Sequence, residues 1–248
     1  EVESVDETHA YDWEPVEPLS ARAESETSLR SDQEHCTWDP LLQLYADSDG
    51  DIIVIELYAG TGSMIRQMKK TVYEGRLKYL IVDIGQPKEH GVEDLIDNVR
   101  GFYKDFDLSN FEPNDLEAWC KGILHTTVDQ IARMHASFCC ETFAYINLCN
   151  KNPPRDKKGT AISKKAFDHN RWLNKLFEVF KYMQSKNAET LITLENPAQS
   201  SFVESPLVQV KLAEAEWVVI KGDHCAGADE DLDGIVTGPR LNRQGGLV

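Results

Sequence analysis

The chain has 248 residues, 41% of them hydrophobic and 27% charged, and a formal net charge of −16. That length and apolar content suit one large α/β domain, alone or with a tail. No apolar run approaches the roughly 20 residues of a membrane span, and no charged-then-apolar leader with a small-residue cleavage site is seen, so neither a membrane protein nor a secreted one is expected. The acidity is uneven, because residues 1–50 hold 14 of the 42 acids and only 2 of the 26 bases. The remainder is nearly neutral, which permits a nucleic-acid partner without demanding one.

Residues 1–38 are acidic, rich in Ser, Glu and Thr, and lack aliphatic periodicity. Such a segment buries too little apolar surface to offset its ordering entropy, and it is expected to be disordered. The stretch Trp38–Tyr45 is expected to form a leading helix on a domain spanning 39–248. The chain does not begin with Met and stops after a glycine pair at Leu247-Val248, so it reads as a piece of something longer.

From Asp51 onward, short apolar runs alternate with longer amphipathic stretches. The β-branched run Ile52-Ile53-Val54-Ile55 reads as a strand covered on both faces. Gly60 and Gly62 then turn the chain into a helix carrying Met64, Ile65 and Met68. Further strands are expected at Tyr79–Val82, Gly101–Phe106, Ile131–Ala136, Leu191–Leu194 and Trp217–Ile220, the fourth interrupted by Arg133 and His135. Helices are expected over Asn114–Lys121 and Lys164–Ser185. The second of these repeats Trp172, Leu173, Leu176, Val179, Phe180 and Met183 at helical spacing. The alternation predicts an α/β fold with a Rossmann-like, doubly wound, mostly parallel sheet and ligands at the strand carboxyl ends.

Three short segments carry the chemistry. The first, Glu56-Leu57-Tyr58-Ala59-Gly60-Thr61-Gly62-Ser63, closes the first core strand, and Asp83 ends the second, where a carboxylate can accept both ribose hydroxyls of a nucleoside. Alone, it is equally a Rossmann-type turn for a dinucleotide or for nothing. The second is Ser137-Phe138-Cys139-Cys140-Glu141-Thr142-Phe143-Ala144, after the fourth strand. The third, Leu194-Glu195-Asn196-Pro197, ends the fifth. In this order they resemble the motifs of the cytosine-5 DNA methyltransferases, which use S-adenosylmethionine, over about residues 52–225. The short form and the Glu195-Asn196-Pro197 variant look more like phage or mobile-element members of that family than like large chromosomal enzymes.

The resemblance implies a methyltransferase whose cofactor contacts are Glu56, Tyr58, Ala59, Gly60, Thr61, Gly62, Asp83, Ile84 and Asp107, with Tyr58 against the adenine and Asp107 near its amino group. It makes Cys140 the nucleophile that adds to cytosine carbon 6, since thiolate suits reversible addition. Glu195 becomes the acid at ring nitrogen 3, a role needing a proton-bearing carboxyl, and Asn196 holds the local backbone. Arg155, Lys157 and Lys158, in the most basic stretch, become phosphate contacts. The same stretch also reads as a solvated loop.

Departures from the pattern keep other readings open. Phe138 and Cys139 replace two prolines, and Glu141 beside Cys140 disfavours a thiolate. Cys139 and Cys140 are then merely buried small residues, and the domain a lapsed binding module. RNA in place of DNA and amino methyl transfer also stay open. A later Gln-x-Arg-x-Arg motif, the target-recognition region and the closing part of the domain are not found. The partner is expected to be nucleic acid, DNA first, inside the cell in nucleus or nucleoid. Six cysteines at Cys36, Cys120, Cys139, Cys140, Cys149 and Cys225 lack the spacing of a disulfide framework. Zinc around Cys139, Cys140, Cys149 and His224-Cys225 lacks any Cys-x-x-Cys pair, so no metal is expected.

Overall fold

The computed structural model describes residues 50–70, 74–196, 200–215, 217–220 and 235–239. The expected acidic leader and the helix over Trp38–Tyr45 lie outside these residues. Strands β1 (Ile52–Leu57), β2 (Leu77–Asp83), β3 (Gly101–Asp105), β4 (Ile131–Ser137), β5 (Leu191–Glu195), β6 (Trp217–Ile220) and β7 (Ile235–Pro239) form one sheet in the order β3-β2-β1-β4-β5-β7-β6. The pairs from β3 across to β5 are parallel, and β7 runs antiparallel between β5 and β6. The expected α/β, Rossmann-like, mostly parallel sheet is therefore present. The strand β7 was not foreseen, because its Gly238-Pro239 pair reads as a turn.

Helices α1 (Ser63–Lys69), α2 (Pro87–His90), α3 (Pro113–Trp119), α4 (Tyr145–Leu148), α5 (Lys164–Lys186) and α6 (Pro206–Glu214) flank the strands. All six residues of β1 are buried, as a continuous apolar run covered on both faces requires. Its alternate residues feed two cores. Ile53, Ile55 and Leu57 join Leu173, Leu176, Phe177, Phe180 and Met183 of α5, while Ile52 and Val54 join Met64, Ile65 and Met68 of α1. Ser163 caps α5 by accepting the Ala166 N–H at 3.1 Å. The helix expected over Asn114–Lys121 instead ends at Trp119 and relaxes into a π turn over Cys120–Leu124, which contains Gly122.

From β1 the chain winds outward through β2 and β3, then returns to start β4 on the other side of β1. Two loops leaving adjacent parallel strands in opposite directions open a crevice at the strand carboxyl ends. The loops after β1 and β4 are the two that hold the glycine and cysteine segments.

Gly62 shapes the first loop. Its φ is +68°, and an added Cβ would stand 2.8 Å from Leu95 Cδ1 and 3.3 Å from Val92 Cγ1. Gly62→Ala is expected to destabilise the fold by about 1–3 kcal/mol through backbone strain and overpacking, measured by urea denaturation.

Candidate active site

The β1 loop is organised from below by Glu56. This carboxylate is fully buried and accepts the N–H groups of Met64 and Ile65 at 3.2 and 3.1 Å, fastening the first turn of α1 to the end of β1. Burial pushes its carboxyl up to about 7, against the opposing pull of those two N–H groups and of Arg133. Arg66 fastens the loop from outside, donating to Thr61 O at 2.9 Å and Gly91 O at 2.6 Å and pairing with both oxygens of Asp94. The sequence reading missed Arg66, which looks like any surface helix residue.

Above this base, Ala59 is buried, Gly60 is half-buried and Thr61 is exposed. Asp83, at the tip of β2, accepts the Gly60 N–H at 2.8 Å through Oδ2 and the Ile84 N–H at 2.8 Å through Oδ1. Ile84 beside it is 62% exposed, an apolar surface at the crevice rim. Asp107 is exposed after β3 and accepts the Ser109 N–H at 3.0 Å. Tyr58 has φ +52° and is partly buried, its ring edge-on to Phe138 at 5.4 Å. Burial first, then the charges of Cys139, Asp107 and Asp83, raise its phenol well above the usual range. Tyr58 thus bridges the β1 and β4 loops, rather than standing only beside the glycines.

Phe138 anchors the β4 loop in the core against Phe143, Phe202 and His169. The following turn closes when Cys140 O accepts the N–H groups of Phe143 at 2.8 Å and Ala144 at 2.9 Å. Cys139 and Cys140 are both half-buried, and burial raises the Cys139 thiol although the Glu141 N–H and Lys165 oppose the shift. The exposed Glu141 carboxylate pairs with Lys165 of α5, which partly offsets its charge next to Cys140. Asn196 Nδ2 donates to Phe138 O at 3.0 Å, while Asn196 Oδ1 accepts from Ser200 Oγ at 2.8 Å, tying the end of β5 to this loop. Glu195 stands beside them, accepting from Ser137 Oγ at 3.3 Å.

Cys139, Glu141 and His169 bring ligand-type atoms within 4.8 Å of one another. This differs from the cysteine set considered from the sequence. Lys165 occupies the carboxylate, and the His169 ring is bonded at Nδ1 to Thr142 Oγ1, at 3.0 Å.

The basic loop divides. Lys157 and Lys158 are exposed, but Arg155 is fully buried, which corrects its expected place at a phosphate. Its guanidinium donates to Gly159 O at 3.0 Å, Ala166 O at 3.2 Å, Asn170 Oδ1 at 2.8 Å and Thr142 Oγ1 at 3.3 Å, and lies 3.6 Å from the centre of the Phe143 ring. A basic stretch signals exposure only on average, and five donors in a fixed fork can equally satisfy buried carbonyls.

No family model and no curated protein matches the chain. Among solved structures, similarity is found to the carbon methyltransferase of CurJ, with TM-score 0.44, 12% identity and coverage of 77% of this chain and 49% of that one. LepI in complex with SAM gives TM-score 0.44 and 9% identity, covering 86% and 50%. A type I restriction-modification methyltransferase subunit from Streptococcus thermophilus gives 0.42 and 10%, covering 82% and 43%. The chain spans half or less of the length of these structures.

The Glu56 carboxyl lies above its ordinary value of 4.5 in the folded state. Its contribution to stability is therefore complete below about 4.5 and is lost as pH rises through about 7. The unfolding free energy from urea denaturation is expected to fall across that window by up to roughly 3 kcal/mol, and Glu56→Gln to flatten the slope while lowering stability overall. Arg155→Leu is expected to cost about 2–4 kcal/mol in the same assay, by stranding buried carbonyls.

Proposed function

We propose that this domain binds S-adenosylmethionine in the crevice at the carboxyl ends of β1, β2 and β3 and methylates carbon 5 of cytosine in DNA through a covalent cysteine adduct. The observation that carries the reading is the meeting of the glycine and cysteine loops at the point where the strand order reverses, joined by the Tyr58–Phe138 contact. Methyl transfer of this kind needs a donor pocket and a thiol side by side.

The donor set suits a nucleoside. Asp83 faces the ribose hydroxyls, the exposed Asp107 accepts the adenine amino group, and the exposed Ile84 and the partly buried Tyr58 flank the base, with Ala59, Gly60, Thr61 and Gly62 around the methionine portion. Glu56 acts beneath the pocket, as the group that holds its floor. The cofactor supplies a methyl group on a sulfonium.

On the substrate side, a cytosine leaves the helix and enters the crevice. The Cys140 thiol gives its proton to water, and the thiolate sulfur bonds to carbon 6 while Glu195 gives a proton to ring nitrogen 3, so the ring gains no net charge. After methyl transfer to carbon 5, the proton on that carbon leaves to water. The bond from sulfur to carbon 6 then breaks, and the nitrogen 3 proton returns to Glu195. Asn196 keeps the cysteine loop on β5, and Lys157 and Lys158 meet the phosphate backbone. A protein doing this works where DNA is, in nucleus or nucleoid.

A cofactor-binding module without chemistry is the second reading, favoured by the raised Cys139 thiol and by Phe138 and Cys139 in place of prolines. Calorimetric titration with S-adenosylmethionine, followed by mixing with a 5-fluorocytosine duplex, separates the two. Binding weakened about 10- to 100-fold by Asp83→Ala, with a denaturation-resistant adduct lost in Cys140→Ser, is the expected result. Binding without an adduct would leave only the module. An adduct on RNA alone would change the substrate, and an adduct surviving in Cys140→Ser but lost in Cys139→Ser would move the nucleophile.

A further inference from the structure

Inside the sheet runs a row of polar side chains that the two loops do not account for. In the register of the strands, His135 of β4 stands between Glu56 of β1 and Thr193 of β5, and Ser137 stands opposite Glu195. His135 is buried, with Nδ1 2.7 Å from Thr193 Oγ1 and Nε2 3.2 Å from Ser137 Oγ and 3.4 Å from Glu195 Oε2. The Ser137 hydroxyl donates to that same Glu195 oxygen at 3.3 Å. An imidazole nitrogen and a hydroxyl therefore converge on one carboxylate oxygen at the end of β5.

We propose that His135 and Glu195 hold one proton between them, and that His135 is the positioning residue that keeps this proton on the carboxyl. The proposal rests on Glu195 serving as the acid of the reaction above. One shared proton has two placements, an imidazolium facing a carboxylate or a neutral imidazole facing a carboxylic acid. Only 6% of the His135 side chain is exposed, against 12% for Glu195, so desolvation weighs more on the imidazolium. Arg133, also on β4, adds repulsion to a second cation, and burial, its largest cause, holds the His135 value below the usual range. Glu56, across on β1, is the remaining titratable group in the row. With the proton on Glu195, its O–H donates to Nε2 and the Nδ1–H donates to Thr193 Oγ1, leaving both ring nitrogens paired. Once the proton has gone to nitrogen 3, the carboxylate keeps the Ser137 hydroxyl, and the proton returns when the thiolate departs.

The two neighbours pull in opposite directions, which makes the proposal testable by sign. His135→Gln replaces an acceptor of the carboxyl proton by an amide donor, and the alkaline limb of the pH–rate profile should move about one unit to lower pH, a roughly tenfold loss above it. Ser137→Ala removes a donor to the carboxylate and should move that limb to higher pH. Uniform losses at all pH values, or superimposable profiles, would overturn the assignment. NMR titration of the ligand-free protein supplies a readout independent of turnover. The His135 ring and the Glu195 carboxyl should respond over the same pH range, with the His135 transition moved to lower pH in Glu195→Gln; independent transitions would sink the shared proton. Coupled titration without any 5-fluorocytosine adduct would remove the proposed reaction and leave the proton pair standing. An adduct with uncoupled titration would remove the pair alone.

Discussion

A carboxylate with no exposed surface, Glu56, lies near the end of β1, the middle one of the five parallel strands, and the surroundings are arranged around that cost. A buried carboxyl must find donors or give up its charge. Here the first-turn amides of α1 supply two donors, so the helix cannot slide along the sheet without stranding the group. The loop between Leu57 and Ser63 is then spanned between two fixed ends. Its left-handed residues Tyr58, Gly60 and Gly62 are the conformations that let so short a segment reverse direction. The crevice owes its shape to this interaction before any ligand is considered.

Much of the architecture was legible because the buried strands are nearly pure apolar runs. The runs at Ile52–Ile55 and Tyr79–Val82 and the helical repeat from Trp172 to Met183 leave little alternative to strands and helix in a layered fold. What escaped has physical reasons. The strand β7 carries Gly238-Pro239, so its place comes from antiparallel partners on both sides rather than from local propensity. Helices α2 and α4 are single turns, too short for periodicity to register.

The site was legible in order but not in depth. Spacing brought the glycine loop, the cysteine loop and Glu195-Asn196 onto strand ends, and the structure gathers those ends along one edge of the sheet. Burial could not be read from spacing, and it separates Arg155 from Lys157 and Lys158, three bases within four positions. Arg133 and His135 looked like flaws in an otherwise apolar strand. In the fold His135 belongs to a cross-strand row with Glu56 and Thr193, where polar residues are the pattern rather than the interruption, while Arg133 lies between Val54 and Leu191. A single strand shows only half of such a row.

Arg155 also changes what the loop around it can do. With its guanidinium holding Gly159, Ala166, Asn170 and Thr142 together, the segment from Asp156 to Gly159 has already surrendered most of its conformational freedom. A partner docking on Lys157 and Lys158 therefore meets two charges on a braced segment and has less ordering of it to offset. Any motion that brings them toward the crevice must carry the start of α5 with it, because Arg155 is bonded to Ala166 and Asn170 on that helix. The loop and the helix form a single lever.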